Sequence, residues 1–307
     1  MQAVPQLSVI IPHLNEPGEL RRCLAALANQ EVEKGSVEVI VVDNGSREPP
    51  RTVCDGFADV RLEIETVPGP GPARNRGASV ARAPLLAFID ADCLADPRWV
   101  SAILDFMNRH PEIDFLGGEI GIEPQDPDRL SAVEAYESVF SYQVRRYTEK
   151  LGFAATGNMA VRADVFRRVG PFGGIATMED TEWGQRATAM GFKVAFLPEA
   201  RVTTPSCKSF AELARRWDRH VAHEFRHVGM KPGRRAVWAA KAAAAVVSPL
   251  ASVPRILRSD RLQGLAPRWR AFVCLARVRF YRAQLMARLL WRNDAGAMVG
   301  LWNREAS

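Results

Sequence analysis

The 307-residue chain is long enough for one large domain with an additional region, or for two domains. With 47% hydrophobic and 25% charged residues, its composition is that of an ordinary globular protein and excludes a largely disordered chain. The net charge of +6 is unevenly distributed, because ten arginines, no lysine and one acidic residue lie between Arg255 and Arg292. The basic character therefore belongs to the C-terminal part of the chain.

The cysteines indicate a reducing environment. There are five, scattered along the chain and never spaced as C-x-x-C. This pattern is typical of free thiols in a cytosolic protein and argues against a disulfide framework or a zinc site. The first residues lead into an apolar run without a basic, apolar leader, so we expect no signal peptide.

The chain begins with a strand–helix–strand pattern. The β-branched run 7–12 predicts a strand, apolar residues at helical spacing predict a helix starting near Pro17, and the run 37–42 predicts a second strand. This order predicts parallel pairing in a right-handed βαβ unit. Asp43 closes the second strand, where it could contact a nucleoside or simply form the turn. The chain has neither G-x-G-x-x-G after the first strand nor a P-loop, which disfavours ordinary NAD-dependent and P-loop functions.

A glycine- and proline-rich loop, 69–72, precedes a helix that is predicted to begin near Ala73. Glycines permit close backbone approach, and a helix N-terminus attracts anions. Arg74 and Arg76 add fixed positive charge, so the segment suits a nucleotide diphosphate. The alternative is a connector whose arginines are solvated.

The apolar run 85–89 predicts a buried strand that is followed at once by Asp90 and Asp92. Ligands of open α/β sheets bind beyond the carboxyl ends of the strands. Two carboxylates there can converge on a hard divalent cation such as Mg²⁺ or Mn²⁺, which would also bind a substrate diphosphate. The alternative is that the acids only cap the following turn.

Four segments in order resemble the successive motifs of the family 2 glycosyltransferases: residues 11–16, 41–46, 73–77 and 88–92. The resemblance implies an α/β fold of the GT-A type, a mostly parallel, Rossmann-like sheet flanked by helices that binds a nucleotide sugar. We expect a GT-A catalytic domain over residues 1–205 and a helical, Arg-rich region over 206–307.

The second half of the chain carries a further resemblance. We expect one long amphipathic helix over 130–150, and residues 153–162 resemble the family segment that lies across the donor and acceptor sites. Glu179 and Asp180 resemble the family's E-D motif, which implies that Asp180 is the general base. A like-charged neighbour would raise the pKa of this carboxyl toward working pH. Alternatively, these acids only stabilise a helix N-terminus.

Two positions depart from the family pattern. Thr204 stands where relatives often carry a metal-binding histidine before a proline, so the third metal ligand is open. Three histidines of the next predicted helix share a face, and surface or packing roles are favoured over metal binding for them: His220, His223 and His227. Residues 213–217 lack the glutamine of the Q-x-x-R-W motif found in processive synthases, which argues against a polymerising enzyme.

The C-terminal region raises the question of a membrane. The segment 236–253 is rich in alanine and valine, and we expect it to be too weakly apolar to span a bilayer. Aromatic and aliphatic residues interleaved with arginines suit an interfacial helix on anionic lipid. Structural packing is the next alternative. We expect no nucleic-acid binding, since no recognised module frames the charge.

The sequence thus predicts a metal-dependent, inverting, non-processive glycosyltransferase, cytoplasmic or peripheral at the inner face of the membrane. It would move sugar from a nucleotide-diphosphate donor to a hydroxyl of a glycan or lipid-linked acceptor in cell-envelope synthesis. The alternatives are a catalytically impaired nucleotide-sugar-binding protein and a nucleotidyltransferase. The expected roles are: nucleoside and diphosphate binding by Pro12, Asn15, Glu16, Asp43 and Arg74; ribose and metal binding by Asp90; metal binding by Asp92; sugar or acceptor positioning by Asn158 and Glu179; and general base catalysis by Asp180.

Overall fold

A computed structural model describes residues 4–33, 35–126, 128–175, 177–228 and 232–292. These residues form two compact units. The first contains the described residues up to 121 together with 142–204. The second contains 122–141 together with the described residues from 205 onward. The sequence predicts one catalytic domain over 1–205, whereas residues 122–141 belong to the second unit.

The first unit is built on a mixed sheet that has eight strands in the described part of the chain. The strand order is β3-β2-β1-β4-β7-β6-β8-β5. The strands are β1 (Leu7–His13), β2 (Val37–Asp43), β3 (Val60–Ile64), β4 (Leu85–Ile89), β5 (Leu94–Ala95), β6 (Phe115–Glu123), β7 (Asn158–Arg162) and β8 (Val194–Pro205). Strands β1 to β4 pair in parallel, with Leu7 opposite both Val37 and Leu85.

Helices cover both faces of this sheet, which is why β1 is buried along its whole length. Successive side chains alternate between two cores: Val9 and Ile11 face one, and Ile10 faces the other. The helices of the first unit are α1 (Pro17–Ala28), α2 (Arg51–Cys54), α3 (Pro70–Val80), α4 (Trp99–Arg109), α6 (Val144–Arg146), α7 (Ala163–Val169) and α8 (Glu179–Ala189). The predicted βαβ unit is confirmed by β1, α1 and β2.

The sheet is less parallel than expected. Strand β7 runs antiparallel to both β4 and β6, and β5 runs antiparallel to β8. The antiparallel half places β7, rather than a further parallel strand, next to β4. Four strands of the sheet, β3, β5, β7 and β8, were not predicted from the sequence.

The long helix expected over 130–150 is also wrong. Helix α5 (Ala132–Phe140) ends where Ser141 becomes extended, and Tyr142 has a left-handed φ of 47°. A separate π-helical turn follows at Tyr147–Leu151. The apolar spacing continues through the break, so periodicity alone could not reveal it.

The second unit is helical. It contains α5, α9 (Phe210–Val228), α10 (Pro232–Ala251), α11 (Val253–Leu257) and α12 (Leu265–Arg292). Apolar side chains of α5, α9, α11 and α12 form its main core, with Tyr136 and Leu275 among them. The helical stretch Gly233–Leu257 is long and apolar enough to cross a membrane by length and composition alone. The expectation that this part of the chain is too weakly apolar to span a bilayer is therefore not supported by its length and composition.

Candidate active site

The carboxyl ends of the parallel strands gather most of the predicted site residues at one edge of the sheet. Asp43 is the last residue of β2, Asp90 directly follows β4, and Pro12 is buried near the end of β1. Because parallel strands end together, a fold of this kind brings residues from distant parts of the sequence into one crevice.

Asp43 is fixed by a histidine that the sequence analysis did not single out. The Nδ1 of His13 lies 3.0 Å from Asp43 Oδ1, and the Ser46 amide donates to Asp43 Oδ2 at 3.1 Å. The Glu16 amide donates to His13 Nε2 at 3.3 Å, which assigns the imidazole proton to Nδ1. Burial raises the pKa of Asp43, but these hydrogen bonds outweigh it and keep the pKa below its ordinary value. Asp43 is therefore a rigidly held carboxylate.

Asn15 shapes the neighbouring turn. It has a left-handed φ of 59°. Its side-chain oxygen accepts from the Arg47 amide at 2.9 Å, and its own amide donates to Ser46 Oγ at 2.8 Å. Asn15 thus ties the loop after β1 to the loop after β2, while Glu16 stays partly exposed beside it.

Arg74 connects the two sides of the site. It is buried in α3, and its guanidinium bonds Asp90 Oδ1 at 2.5 Å through Nη2 and Glu179 Oε1 at 3.0 Å through Nη1. Burial alone would lower the pKa of Arg74, but the two carboxylates outweigh it and raise the pKa. Asp90, directly after β4, and Glu179, the first residue of α8, are therefore joined through one cation.

The predicted metal ligands lie together, but they are few. Burial raises the pKa of Asp92, and the nearby carboxylates of Asp90 and Glu16 raise it further. Thr204 is buried, and its hydroxyl interacts with the Cys93 thiol. Within the described residues, no group of three histidine, cysteine or acidic side chains forms a metal cluster. Asp90 and Asp92 fit a hard divalent cation only if other oxygens, such as those of a diphosphate and water, complete its coordination.

Asp180 has the environment of a proton acceptor. It lies in the first turn of α8, and burial together with Glu179 raises its pKa to about 6. The amide and hydroxyl of Thr181 both donate to Oδ1, at 2.7 and 3.3 Å. Within the described chain, Oδ2 has no hydrogen bond. One oxygen is thus held in place while the other remains available.

The loop before α8 is fastened to the start of α3. The Asn75 side chain donates to the Phe172 carbonyl at 2.9 Å and accepts from the Phe172 amide at 2.8 Å. A Cβ atom on Gly71 would lie only 2.1 Å from the Gly173 carbonyl oxygen, so this contact requires glycine. These contacts fix the approach of the chain to Asp180.

The structure does not place the side chain of Asn158 where the sequence analysis expects it, in position to contact a sugar or an acceptor. It is fully buried, and its side-chain oxygen accepts from the Trp99 indole at 2.8 Å. Its amide nitrogen donates to the carbonyls of Glu119 and Ala200 at 2.9 and 2.8 Å. Its polar atoms are therefore engaged inside the sheet, and Asn158 holds strands together instead of facing a sugar. Of the three histidines considered as metal ligands, His220 is exposed, and its ring lies 5.6 Å from the Trp217 ring at an interplanar angle of 53°. The side chains of His223 and His227 lie outside the described residues.

Comparison with known proteins places the chain in a family. A model described as glycosyl transferase family 2 matches residues 8–170. The chain is 31% identical over 219 residues to "Glycosyltransferase AglE" of Haloferax volcanii, covering 69% of this chain and 71% of that protein. It is 34% identical over 227 residues to "Validoxylamine A glucosyltransferase" of Streptomyces hygroscopicus subsp. limoneus, covering 62% of this chain and 48% of that protein.

Solved structures agree on the fold. A mannosyltransferase from Pyrobaculum calidifontis, PcManGT, in complex with GDP-Man and Mn²⁺, has a TM-score of 0.60 at 17% identity and covers 95% of this chain and 88% of its own. TarS from S. aureus, in complex with UDP-GlcNAc, has a TM-score of 0.54 at 16% identity and covers 87% of this chain and 70% of its own. The first unit thus has the GT-A fold, and the chain belongs to glycosyltransferase family 2.

Proposed function

We propose that this glycosyltransferase moves a sugar from a nucleotide-diphosphate donor to an acceptor hydroxyl with inversion at the anomeric carbon. The observation that carries the proposal is the ion-paired chain Asp90–Arg74–Glu179, which ends beside Asp180. It joins a carboxylate at the expected donor position to a carboxyl whose raised pKa suits a base. The donors named for the two structural relatives, GDP-Man and UDP-GlcNAc, support a nucleotide sugar.

The nucleoside end of the donor would bind at the edge formed by β1 and β2. Asp43 is a charged acceptor held by His13 and Ser46, and such a fixed carboxylate can accept hydrogen bonds from a base or a ribose without reorganising. Asn15 and Glu16 border this position, and Pro12 supports it from within β1. Arg74 of α3 would contribute positive charge toward the diphosphate.

A divalent cation, Mg²⁺ or Mn²⁺, would be held by Asp92 with Asp90. When bound, it would act as a Lewis acid toward the departing diphosphate. The negative charge gathered around Asp92 supports this assignment, since an opposite charge would relieve it. Arg74 orients the Asp90 side chain through its 2.5 Å contact.

Asp180 would accept the proton of the acceptor hydroxyl. A carboxyl with a pKa of about 6 is ionised near neutral pH yet remains more basic than an ordinary aspartate. Attack by that hydroxyl on the face opposite the leaving group is a single displacement and inverts the anomeric carbon. Glu179, held by Arg74, positions the first turn of α8.

The transfer would be non-processive. Arg216 of the segment that departs from the processive motif pairs with the buried Glu137 at 2.5 Å, and Arg282 lies 4.1 Å above the Trp217 ring. Arg216 and Trp217 thus both make contacts within the helical unit. The Arg-rich helices support a cytoplasmic protein peripheral to the inner face of the membrane, acting on a glycan or lipid-linked acceptor of the cell envelope.

The test is release of nucleoside diphosphate from a panel of UDP-, GDP- and dTDP-sugars with Mn²⁺ and candidate acceptors. Asp180→Asn should lower the rate by about 100-fold or more while donor binding persists. The matched control is Asp164→Asn, an exposed acid in the first turn of α7, which should leave the rate unchanged. Equal rates in wild type and Asp180→Asn would remove Asp180 from the mechanism.

The two alternatives give different products in the same assay. Donor binding without release of nucleoside diphosphate would indicate an impaired binding protein, an alternative that the missing histidine at Thr204 keeps open. Pyrophosphate release from a nucleoside triphosphate would indicate a nucleotidyltransferase, which the family membership disfavours.

A further inference from the structure

Helix α10 is buried along one narrow stripe only. Trp238 and Ala242 belong to a core shared with Phe225 of α9 and Met286 of α12. The Trp238 indole donates to the Met286 carbonyl at 3.0 Å. Of the most apolar 18-residue window of the Gly233–Leu257 stretch, only 17% is buried. The remaining circumference of α10 faces outward.

That outward surface is apolar, which is unusual for an exposed helix. The side chains of Val247 and Leu250 are 66% and 70% exposed. No charged residue lies between Ala242 and Pro254. We call the following exposed residues the α10 face: Ala236, Ala239, Ala240, Ala243, Val246, Val247, Leu250 and Ala251. Soluble helices normally carry polar residues on such a face, so we infer that the α10 face binds a partner.

The net charge of the helical unit that carries the α10 face indicates the kind of partner. Residues 205–292 contain nineteen lysines and arginines and four acids, a net charge of +15. Residues 1–204 contain 21 basic and 29 acidic residues, a net charge of −8. The charge of the whole chain therefore conceals a strongly basic helical unit. A second copy would bring the same positive charge to the interface, whereas an anionic lipid surface complements it.

The contacts of α10 favour a helix that lies on the bilayer over one that crosses it. Arg235 Nη2 donates to the Leu290 carbonyl at 2.6 Å, which ties the start of α10 to the end of α12 along with Trp238. Helix α12 carries arginines along its length and cannot enter a hydrocarbon core at low cost. With its stripe held on such a helix, α10 can bury its outward face only to the depth of the headgroup and acyl boundary.

We propose that the α10 face is a membrane-docking surface that inserts in the plane of a bilayer containing anionic lipids, with the headgroups attracted by the basic residues of the same helical unit. This inference builds on the peripheral location within the proposed function but not on the donor chemistry. It assigns the apolar contact to α10, whereas the sequence analysis looked to the arginine–aromatic pattern that follows it.

The test is co-sedimentation of the full chain with vesicles of phosphatidylcholine, alone or in an equimolar mixture with phosphatidylglycerol. Wild type should bind the mixed vesicles and bind phosphatidylcholine alone more weakly. Leu250→Glu should reduce the partition coefficient at least about tenfold, the loss expected when one large aliphatic side chain no longer leaves water. Val4→Glu is the matched control, because Val4 is 73% exposed in the first unit and should leave binding unchanged.

Three results would overturn the inference. Wild type could fail to sediment with either vesicle, Leu250→Glu could bind as tightly as wild type, or wild type could be a dimer that Leu250→Glu makes monomeric without any vesicle binding. Nucleoside diphosphate release measured on the same samples separates this outcome from failure of the proposed function, since the α10 face contains no residue of the candidate active site.

Discussion

The Asp180→Asn substitution should lower the activity of the protein but raise its stability near neutral pH. Its pKa is about 6 in the folded protein against an ordinary value near 3.9, so the folded state binds the proton more tightly than the unfolded state does. Stability therefore falls as pH rises from about 4 to about 6, and the loss is complete above that window. Asp180→Asn removes the charge while keeping an oxygen acceptor for Thr181. At pH 7.5 it should be more stable than wild type by about 1–2 kcal/mol.

Urea unfolding of wild type and Asp180→Asn checks this at two pH values. The stability difference should be present near neutral pH and should vanish below about pH 3, where both folded and unfolded Asp180 are mostly protonated. A variant that is less stable than wild type at neutral pH would contradict the burial argument.

The same pKa governs the rate. If Asp180 accepts the acceptor proton, kcat/KM should rise with pH through about 6 and level off above it, with the slope of a single ionisation. The measurement is a pH profile at saturating metal, with Asp164→Asn following the wild-type curve. A rate that is flat from about pH 5 to 7 would contradict the role of Asp180.

Arg74 is more than a source of positive charge. Arg74→Met would leave Asp90 and Glu179 without their shared cation, so we expect a loss of about 2–4 kcal/mol in unfolding free energy together with weaker donor binding. Arg74→Lys should recover part of the stability but cannot bond both carboxylates in the same fork geometry. Equal stability of all three proteins by urea titration would show that the ion pairs contribute little.

At the scale of elements, Asn75 links α3 to the loop that leads into α8. Asn75→Leu keeps the approximate size but removes both hydrogen bonds to Phe172. We expect kcat to fall about tenfold or more with little change in donor affinity, since Asn75 acts by positioning Asp180. The neighbouring Ser79, on the exposed side of α3, offers a control in Ser79→Ala. A change in donor affinity alone would place Asn75 at the donor.

Three of the four parallel strands, β1, β2 and β4, could be predicted from the sequence, but the pairing of the antiparallel strands could not. The buried runs of β1, β2 and β4 are short, apolar and bounded by turn residues, which is a local signal. Strand β7 is recognisable only from its partners, because its direction depends on β4 and β6, far away in sequence. The break at Tyr142 is likewise a backbone conformation that apolar spacing does not encode.

The candidate site shows the same division. The positions of acids at strand and helix ends, such as Asp43 and Asp180, could be predicted because chemistry and position coincide in the sequence, whereas their roles stay predictions. His13 and Asn75 were missed as contributors because they act through contacts that form only when distant segments meet. Asn158 was misjudged for the reverse reason: a polar residue in a motif-like segment satisfies its hydrogen bonds inside the sheet.

At the scale of the whole molecule, the helical unit is not simply a tail. Helix α5, from the middle of the chain, buries Val133, Tyr136 and Val139 in the core of that unit. A chain truncated after Pro205 would expose these side chains, so we expect lower soluble yield and a lower unfolding midpoint than for the full chain. A truncated protein that is as stable as the full chain in thermal unfolding would contradict this prediction, since it would show that burial of these α5 side chains does not stabilise the protein.

The most direct test of the account is a thermal-shift comparison of wild type and Asp92→Asn with UDP-, GDP- and dTDP-sugars, each with and without Mn²⁺. A ligand that binds only the folded state raises the unfolding midpoint by mass action. We predict that one nucleotide class raises the unfolding midpoint of wild type only when the metal is present, and that Asp92→Asn loses this rise in the midpoint. No shift with any donor, or the same shift without metal and in Asp92→Asn, would contradict a metal-dependent nucleotide-sugar site at Asp90 and Asp92.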